Sequence, residues 1–255
     1  MKLFRLAVFL FVGTTFLFTS CQKASSEKIV IAVAANMQVP MEAIAKEFTE
    51  KYGISCELII GSSGKLTAQI VEGAPYDIFI AANMKYPETV YAKGRALDIP
   101  KVYAHGKLVL WSMSQDISVS INILRESHIR HIALANPKTA PYGAAAMEVL
   151  HHYGLFDMVE NKLVYGESIA QTNQFIISKA AQIGFTAMST VLSPQMKGKG
   201  SWIEIDASQY TPISQGVVKL NRKRTNGKEV QELYDFLFSR EAKEILKDFG
   251  YLMDE

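Results

Sequence analysis

Apolar runs and helix-periodic stretches alternate along the first third of the chain, and this alternation restricts the fold more than any other feature. "KIVIAVAANM" (28–37) is rich in Ile and Val and reads as a buried strand followed by a turn. "VPMEAIAKEFTEKYG" (39–53) carries Met41, Ile44, Ala45 and Phe48 at helical spacing and stops at Gly53. "SCELIIG" (55–61) is a strand, "KLTAQIVEGA" (65–74) a helix ended by Gly73, and "YDIFIAAN" (76–83) another buried strand. A β-α-β-α-β order predicts a parallel sheet with helices on both faces. Ligands in such sheets bind beyond the carboxyl ends of the strands.

A second set follows. "GKLVLWSM" (106–113) and "HIALANP" (131–137) read as strands, Pro141-Tyr142-Gly143 as a turn, and "AAAMEVLHHYGL" (144–155) as a helix. "NKLVYGES" (161–168) leads into helical "IAQTNQFIISKAA" (169–181); "IGFTAM" (183–188) is a strand and "WIEIDASQY" (202–210) a more polar one. The chain finishes in two amphipathic helices within 226–253. No Pro/Gly/Ser-rich linker separates the sets, so two lobes joined by strand crossovers are expected. The first lobe takes 28–104 plus about 217–255, and the second about 105–216.

The stretch "GSSGK" (61–65) has the look of a phosphate-binding loop. A P-loop requires glycine where Ile59 stands and a hydroxyl where Leu66 stands, so the nucleotide reading fails. Two readings remain. Ser62 and Ser63 could cap the following helix. Equally, their hydroxyls and the loop's N–H groups, at the positive end of a helix dipole, could hold a small oxyanion. Three further strand–helix junctions, at Ala35-Asn36, Pro141-Tyr142-Gly143 and Gly166-Glu167-Ser168-Ile169, offer donors of the same kind. That makes two junctions in each lobe, the arrangement a clamshell around an anion needs.

Four blocks, "AVAANM", "GSSGKLTAQIVEGAPYDIFIAAN", "NPKTAPYGAAAMEVL" and "YGESIAQTNQFI" followed by "IGFTAMS", make the chain resemble the periplasmic molybdate-binding proteins, solute receptors of molybdate ABC importers. The resemblance implies an α/β, two-lobed periplasmic-binding-protein fold (type II), each lobe a mostly parallel sheet flanked by helices, with the ligand in the cleft between lobes. It implies capture of molybdate or tungstate, delivery to a membrane permease, no chemistry and no cofactor. The implied ligand set is Asn36 with the Ala35 amide and Ser63 from the first lobe, and the backbone amides of Tyr142 and Ile169 from the second. One branch of the family adds a tyrosine hydroxyl where this chain has Ala187. Such dianions need donors only, which amides and hydroxyls in a dry cleft supply. The same fold could instead receive sulfate or another small anion.

The N-terminus is separate from this fold. Lys2 and Arg5 flank an apolar stretch too short for a comfortable membrane span, and Thr19-Ser20-Cys21 precedes a polar segment. The layout resembles a lipoprotein signal over residues 1–20, with Cys21 lipidated, although Phe18 stands where an aliphatic residue is usual. A lipid-anchored monomer outside the cytoplasmic membrane is expected. Lys2 and Arg5 are two of the 27 basic residues, so cleavage leaves 25 basic against 25 acidic, without the basic excess of a nucleic-acid binder. Cys56 then has no partner and packs as a small hydrophobe, and two cysteines build no four-cysteine zinc site. An exported metal-dependent enzyme would draw on His128, His131, His151 or His152, but none has Glu or Cys at zinc spacing. Lys65 reads as a solvated lysine at a helix start.

Overall fold

The computed structural model describes residues 28–222 and 227–253; the expected signal and Cys21 lie outside them. β1 (Ile29–Ala34) passes through a 3-10 turn (Ala35–Met37) into α1 (Gln38–Tyr52). β2 (Cys56–Gly61) feeds α2 (Ser63–Val71), β3 (Ile78–Ala81) feeds α3 (Lys85–Ala92), and β4 (Lys101–Gly106) follows. The chain then forms β5 (Leu108–Ser112), β6 (Ile132–Ala135), α4 (Pro141–His152), α5 (Phe156–Val159), β7 (Leu163–Gly166) and α6 (Ile169–Ile177). β8 (Ile183–Ala187), α7 (Met188–Val191), β9 (Ser201–Glu204), β10 (Ile213–Lys219), α8 (Gly227–Phe236) and α9 (Arg240–Asp248) complete it.

Two five-stranded sheets result, in the orders β2-β1-β3-β10-β4 and β7-β6-β8-β5-β9. The expected two-lobed α/β arrangement is present, with one departure from parallel pairing in each sheet. β10 is antiparallel to β3 and β4, and β5 is antiparallel to β8 and β9. These are the two strands that carry the chain across. β4 and β5 are separated only by Lys107, and β10 rejoins the first sheet from Ile213, ahead of the expected boundary near 217.

Both faces of each sheet are covered, which is why the strands read as continuous apolar runs. In β1, Ile29, Ile31 and Val33 enter a core with Met41, Ile44 and Phe48 of α1 and Leu233 and Leu246 of the C-terminal helices. Ala32 points the other way, against Leu66, Ile70, Phe79 and Val90. β5 repeats the alternation: Leu108 and Leu110 face one core, Val109 and Trp111 the other. α1 stops where Gly53 adopts φ 72° and donates its N–H to Thr49 O at 2.8 Å, a left-handed cap.

Residues 141–143 are the first turn of α4 and not a free turn: Pro141 sits at the first helical position, where its missing N–H costs nothing. The polar strand is shorter than expected, ending at Glu204 before Asp206 caps a 3-10 turn. Strands β4 and β10 and helix α3 are elements the sequence reading did not contain.

Candidate functional site

Four strand ends converge between the lobes. β1 and β2 are neighbours in the first sheet, β6 and β7 in the second, and each feeds the N-terminus of a helical segment. The first N–H groups of a helix have no partner inside it, so each junction presents orphan donors. Ala35, Asn36, Ser63, Tyr142 and Ile169, all five residues expected at the site, line one small cleft with an empty volume of about 200 Å³. Among the described residues that line it, none carries a charged side chain.

The two serines of the first lobe have different tasks. Ser62 is the N-cap of α2 and its hydroxyl oxygen accepts the Lys65 N–H at 3.3 Å. Ser63 is 1% exposed, and its Oγ accepts the Ala82 N–H at 3.0 Å. An accepting hydroxyl keeps its own hydrogen to donate, and here it is held at the cleft wall. Ser62 therefore takes the capping task, and Ser63 is left facing the cleft beside it.

Asn36 is 5% exposed and held from behind. Its Nδ2 donates to Gln215 Oε1 at 2.8 Å and to Tyr251 Oη at 2.9 Å. Gln215 cannot simply turn over, because its Nε2 donates to Ile213 O at 3.0 Å and Ala82 O at 3.3 Å. Both amide hydrogens of Asn36 are therefore engaged away from the cleft. The Asn36 carbonyl accepts from Ser189 Oγ of the second lobe at 2.8 Å and from Tyr251 Oη at 3.1 Å. Gln215, Ser189 and Tyr251 form a buried support that sequence reasoning missed.

The second-lobe junctions bring helix-start amides to the cleft. In α4, Pro141 has no N–H, and the Gly143 and Ala144 N–H groups both turn back to Ala140 O, at 2.9 and 3.1 Å. That leaves the N–H of Tyr142. Its hydroxyl is buried against Gly106 and beside Tyr251, and burial pushes its pKa well above the usual tyrosine value. At α6, Ser168 accepts the Gln171 N–H at 3.4 Å while Gln171 Oε1 accepts the Glu167 N–H at 2.7 Å. The N–H of Ile169 stands between these two satisfied groups.

Ala187 is fully buried at the start of α7. His128, His131, His151 and His152 are exposed and lie outside the cleft lining. Among the described residues no group of three His, Cys, Asp or Glu could hold a metal ion. Cys56 is half-buried against the first core, where burial pushes its thiol up to about 12. Lys65 reaches across the cleft mouth to Glu167 at 3.9 Å, both side chains well exposed.

The sequence profile described as bacterial extracellular solute-binding protein matches residues 29–252. The chain is 37% identical over 230 residues to the molybdate-binding protein ModA of Azotobacter vinelandii, covering 89% of this chain and 91% of that one. It is 36% identical over 232 residues to ModA of Rhodobacter capsulatus, covering 91% and 90%. Among solved structures, the Azotobacter vinelandii periplasmic molybdate-binding protein superposes with a TM-score of 0.85 at 33% identity, covering 89% of this chain and 100% of that one.

Proposed function

This chain belongs to the bacterial extracellular solute-binding protein family, and on that premise we propose that its cleft captures molybdate and tungstate and hands them to an ABC importer. Members of this family are the substrate-binding component of transport and not enzymes. The observation that carries the reading is the cleft itself: four helix starts from two lobes, five expected residues together, and no charged lining. The donors are the backbone N–H groups of Ala35 and Asn36, the Ser63 hydroxyl, and the N–H groups of Tyr142 and Ile169. A tetrahedral dianion accepts from all of them and offers nothing that must be deprotonated. Uncharged donors at helix N-termini stabilise it without a countercharge that would hold it after the lobes part.

The ligand is bound by both lobes, so it favours the closed form, whose surface the membrane permease would read. Tungstate matches molybdate in charge and shape and enters on the same terms. Sulfate has the same charge but a smaller radius, so its rejection rests on the span between the two pairs of donors. Lipidation at Cys21 would tether the receptor, as a monomer, to the outer face of the membrane.

Thermal unfolding of the mature protein with molybdate, tungstate, sulfate or phosphate tests this. Molybdate and tungstate at a hundred times their dissociation constants should each add about 2.7 kcal/mol of stability. Sulfate and phosphate at the same concentrations should add far less. Stabilisation by sulfate alone would identify a different receptor, and stabilisation by none of the four would remove the oxyanion reading.

A further inference from the structure

Gly64, in the middle of the glycine-rich loop, is not needed for its backbone conformation. It lies inside α2 and is absent from the glycines with positive φ. It stands in the first turn of α2 with an ordinary helical φ that any residue could adopt, so a different reason holds it there. That reason sits on the opposite lobe. The Gly64 N–H donates to Thr139 O at 2.9 Å, backbone to backbone across the mouth of the cleft. A Cβ added at Gly64 would stand 3.0 Å from Thr139 Cα, 3.1 Å from its Cβ and 3.1 Å from its carbonyl oxygen. Carbon atoms prefer about 3.5–4.0 Å, so a methyl there fits only if the lobes separate by a few tenths of an ångström.

The other mouth contacts are looser. Tyr86 Oη donates to Lys138 O at 3.4 Å, and the Lys65–Glu167 pair is solvent-exposed. Such an exposed pair contributes little. Thr139 lies two residues before Pro141, so where this loop seats determines where the Tyr142 N–H arrives.

We propose that Gly64 is a positioning residue for the bound oxyanion: its missing side chain lets the 136–140 loop rest on α2, which completes closure and brings the second-lobe amides to the ligand. This rests on the molybdate reading above and adds a residue that binds no ligand oxygen through a side chain. In the open form the Gly64 Cα faces solvent and tolerates a methyl, and only the closed form resists it.

The test compares wild type, Gly64→Ala and Gly64→Ala/Thr139→Gly by calorimetric titration with sodium molybdate, by thermal unfolding without ligand, and by small-angle scattering with and without molybdate. Gly64→Ala should keep or raise the ligand-free unfolding midpoint. Its molybdate affinity should fall about tenfold or more, the scale of one lost hydrogen bond to a charged group. Its contraction on adding molybdate should be incomplete. Removing the Thr139 side chain should return part of the affinity. Wild-type binding beside equal binding and equal contraction in Gly64→Ala overturns the role of Gly64 alone. A lowered ligand-free midpoint in Gly64→Ala overturns it too, since the cost would then lie within one lobe. A wild type that ignores molybdate removes the function reading and this inference with it.

Discussion

Ser62 and Ser63 show how two identical neighbours acquire different tasks. Ser62 caps α2, whereas Ser63 is pinned by the Ala82 N–H and keeps its own hydrogen for the cleft. Ser63→Ala should lower molybdate affinity by about tenfold to a hundredfold, the scale of a hydrogen bond to a charged group, and should also cost about 1–3 kcal/mol of ligand-free stability by orphaning the buried Ala82 N–H. Ser62→Ala should cost about 1 kcal/mol of stability as a lost cap while affinity changes far less than in Ser63→Ala. Titration and urea denaturation of the two variants side by side distinguish the roles. The junction residues were legible because each sits where strand periodicity gives way to helical periodicity. Their support was not legible. Asn36 meets Gln215 and Tyr251 at separations of 179 and 215 residues, and Ser189 at 153. Nothing local in the sequence links such positions. The engagement of the Asn36 amide hydrogens behind the cleft follows from those distant partners.

At the level of elements, β1, β3, β5, β6 and β8 were read from continuous apolar runs that are buried on both faces. Those that were missed break that pattern. β10 carries Gln215 and Gly216 at its centre, because Gln215 serves the site and Gly216 lies against Pro87 and Met84. β4 carries an exposed lysine and a histidine that contacts Ser214 Oγ at 3.1 Å. α3 has Pro87 in its first turn, which is compatible with a helix start but obscures the periodicity. At the opposite, amino end of the first sheet, Asp77 ties three strands together. Its carboxylate accepts the Val30 N–H at 2.7 Å and lies 3.4 Å from the Arg222 guanidinium, while its carbonyl accepts the Leu220 N–H at 2.8 Å. Asp77→Ala should therefore destabilise the fold by about 2–3 kcal/mol, through an orphaned Val30 amide and an Arg222 left without this carboxylate. Urea denaturation measures this. Molybdate affinity should not change, since the cleft lies at the other end of these strands.

Across the whole molecule, the lobes meet at Lys107, at the segment ahead of Ile213, and through the buried contacts of Asn36, Ser189 and Tyr251. Tyr103, Tyr142 and Tyr251 are buried here, and burial raises the pKa of each above its ordinary value of 10.0. A raised tyrosine pKa makes the unfolded chain lose its proton first. Stability from this source is whole below pH 10 and declines as pH climbs beyond it. With the Cys56 thiol, raised from 9.0 to about 12, losing its contribution first, the unfolding midpoint should be level between about pH 7 and 8 and drop from about 9 upward, which calorimetry at stepped pH would follow. Molybdate affinity should be level over the same lower range, because among the described residues no charged side chain lines the cleft. The sheet order carries one more consequence, for how the molecule is made. β10 lies between β3 and β4 although it is the last strand in the chain. A ribosome therefore releases the flanks of the first sheet long before the strand that joins them. Until that piece emerges, β2-β1-β3 and β4 have no pairing between them, while the middle lobe already has every strand it needs. β1 meets β2 and β3 early, whereas β3 and β4 wait for the strand they share until nearly the whole chain has been made.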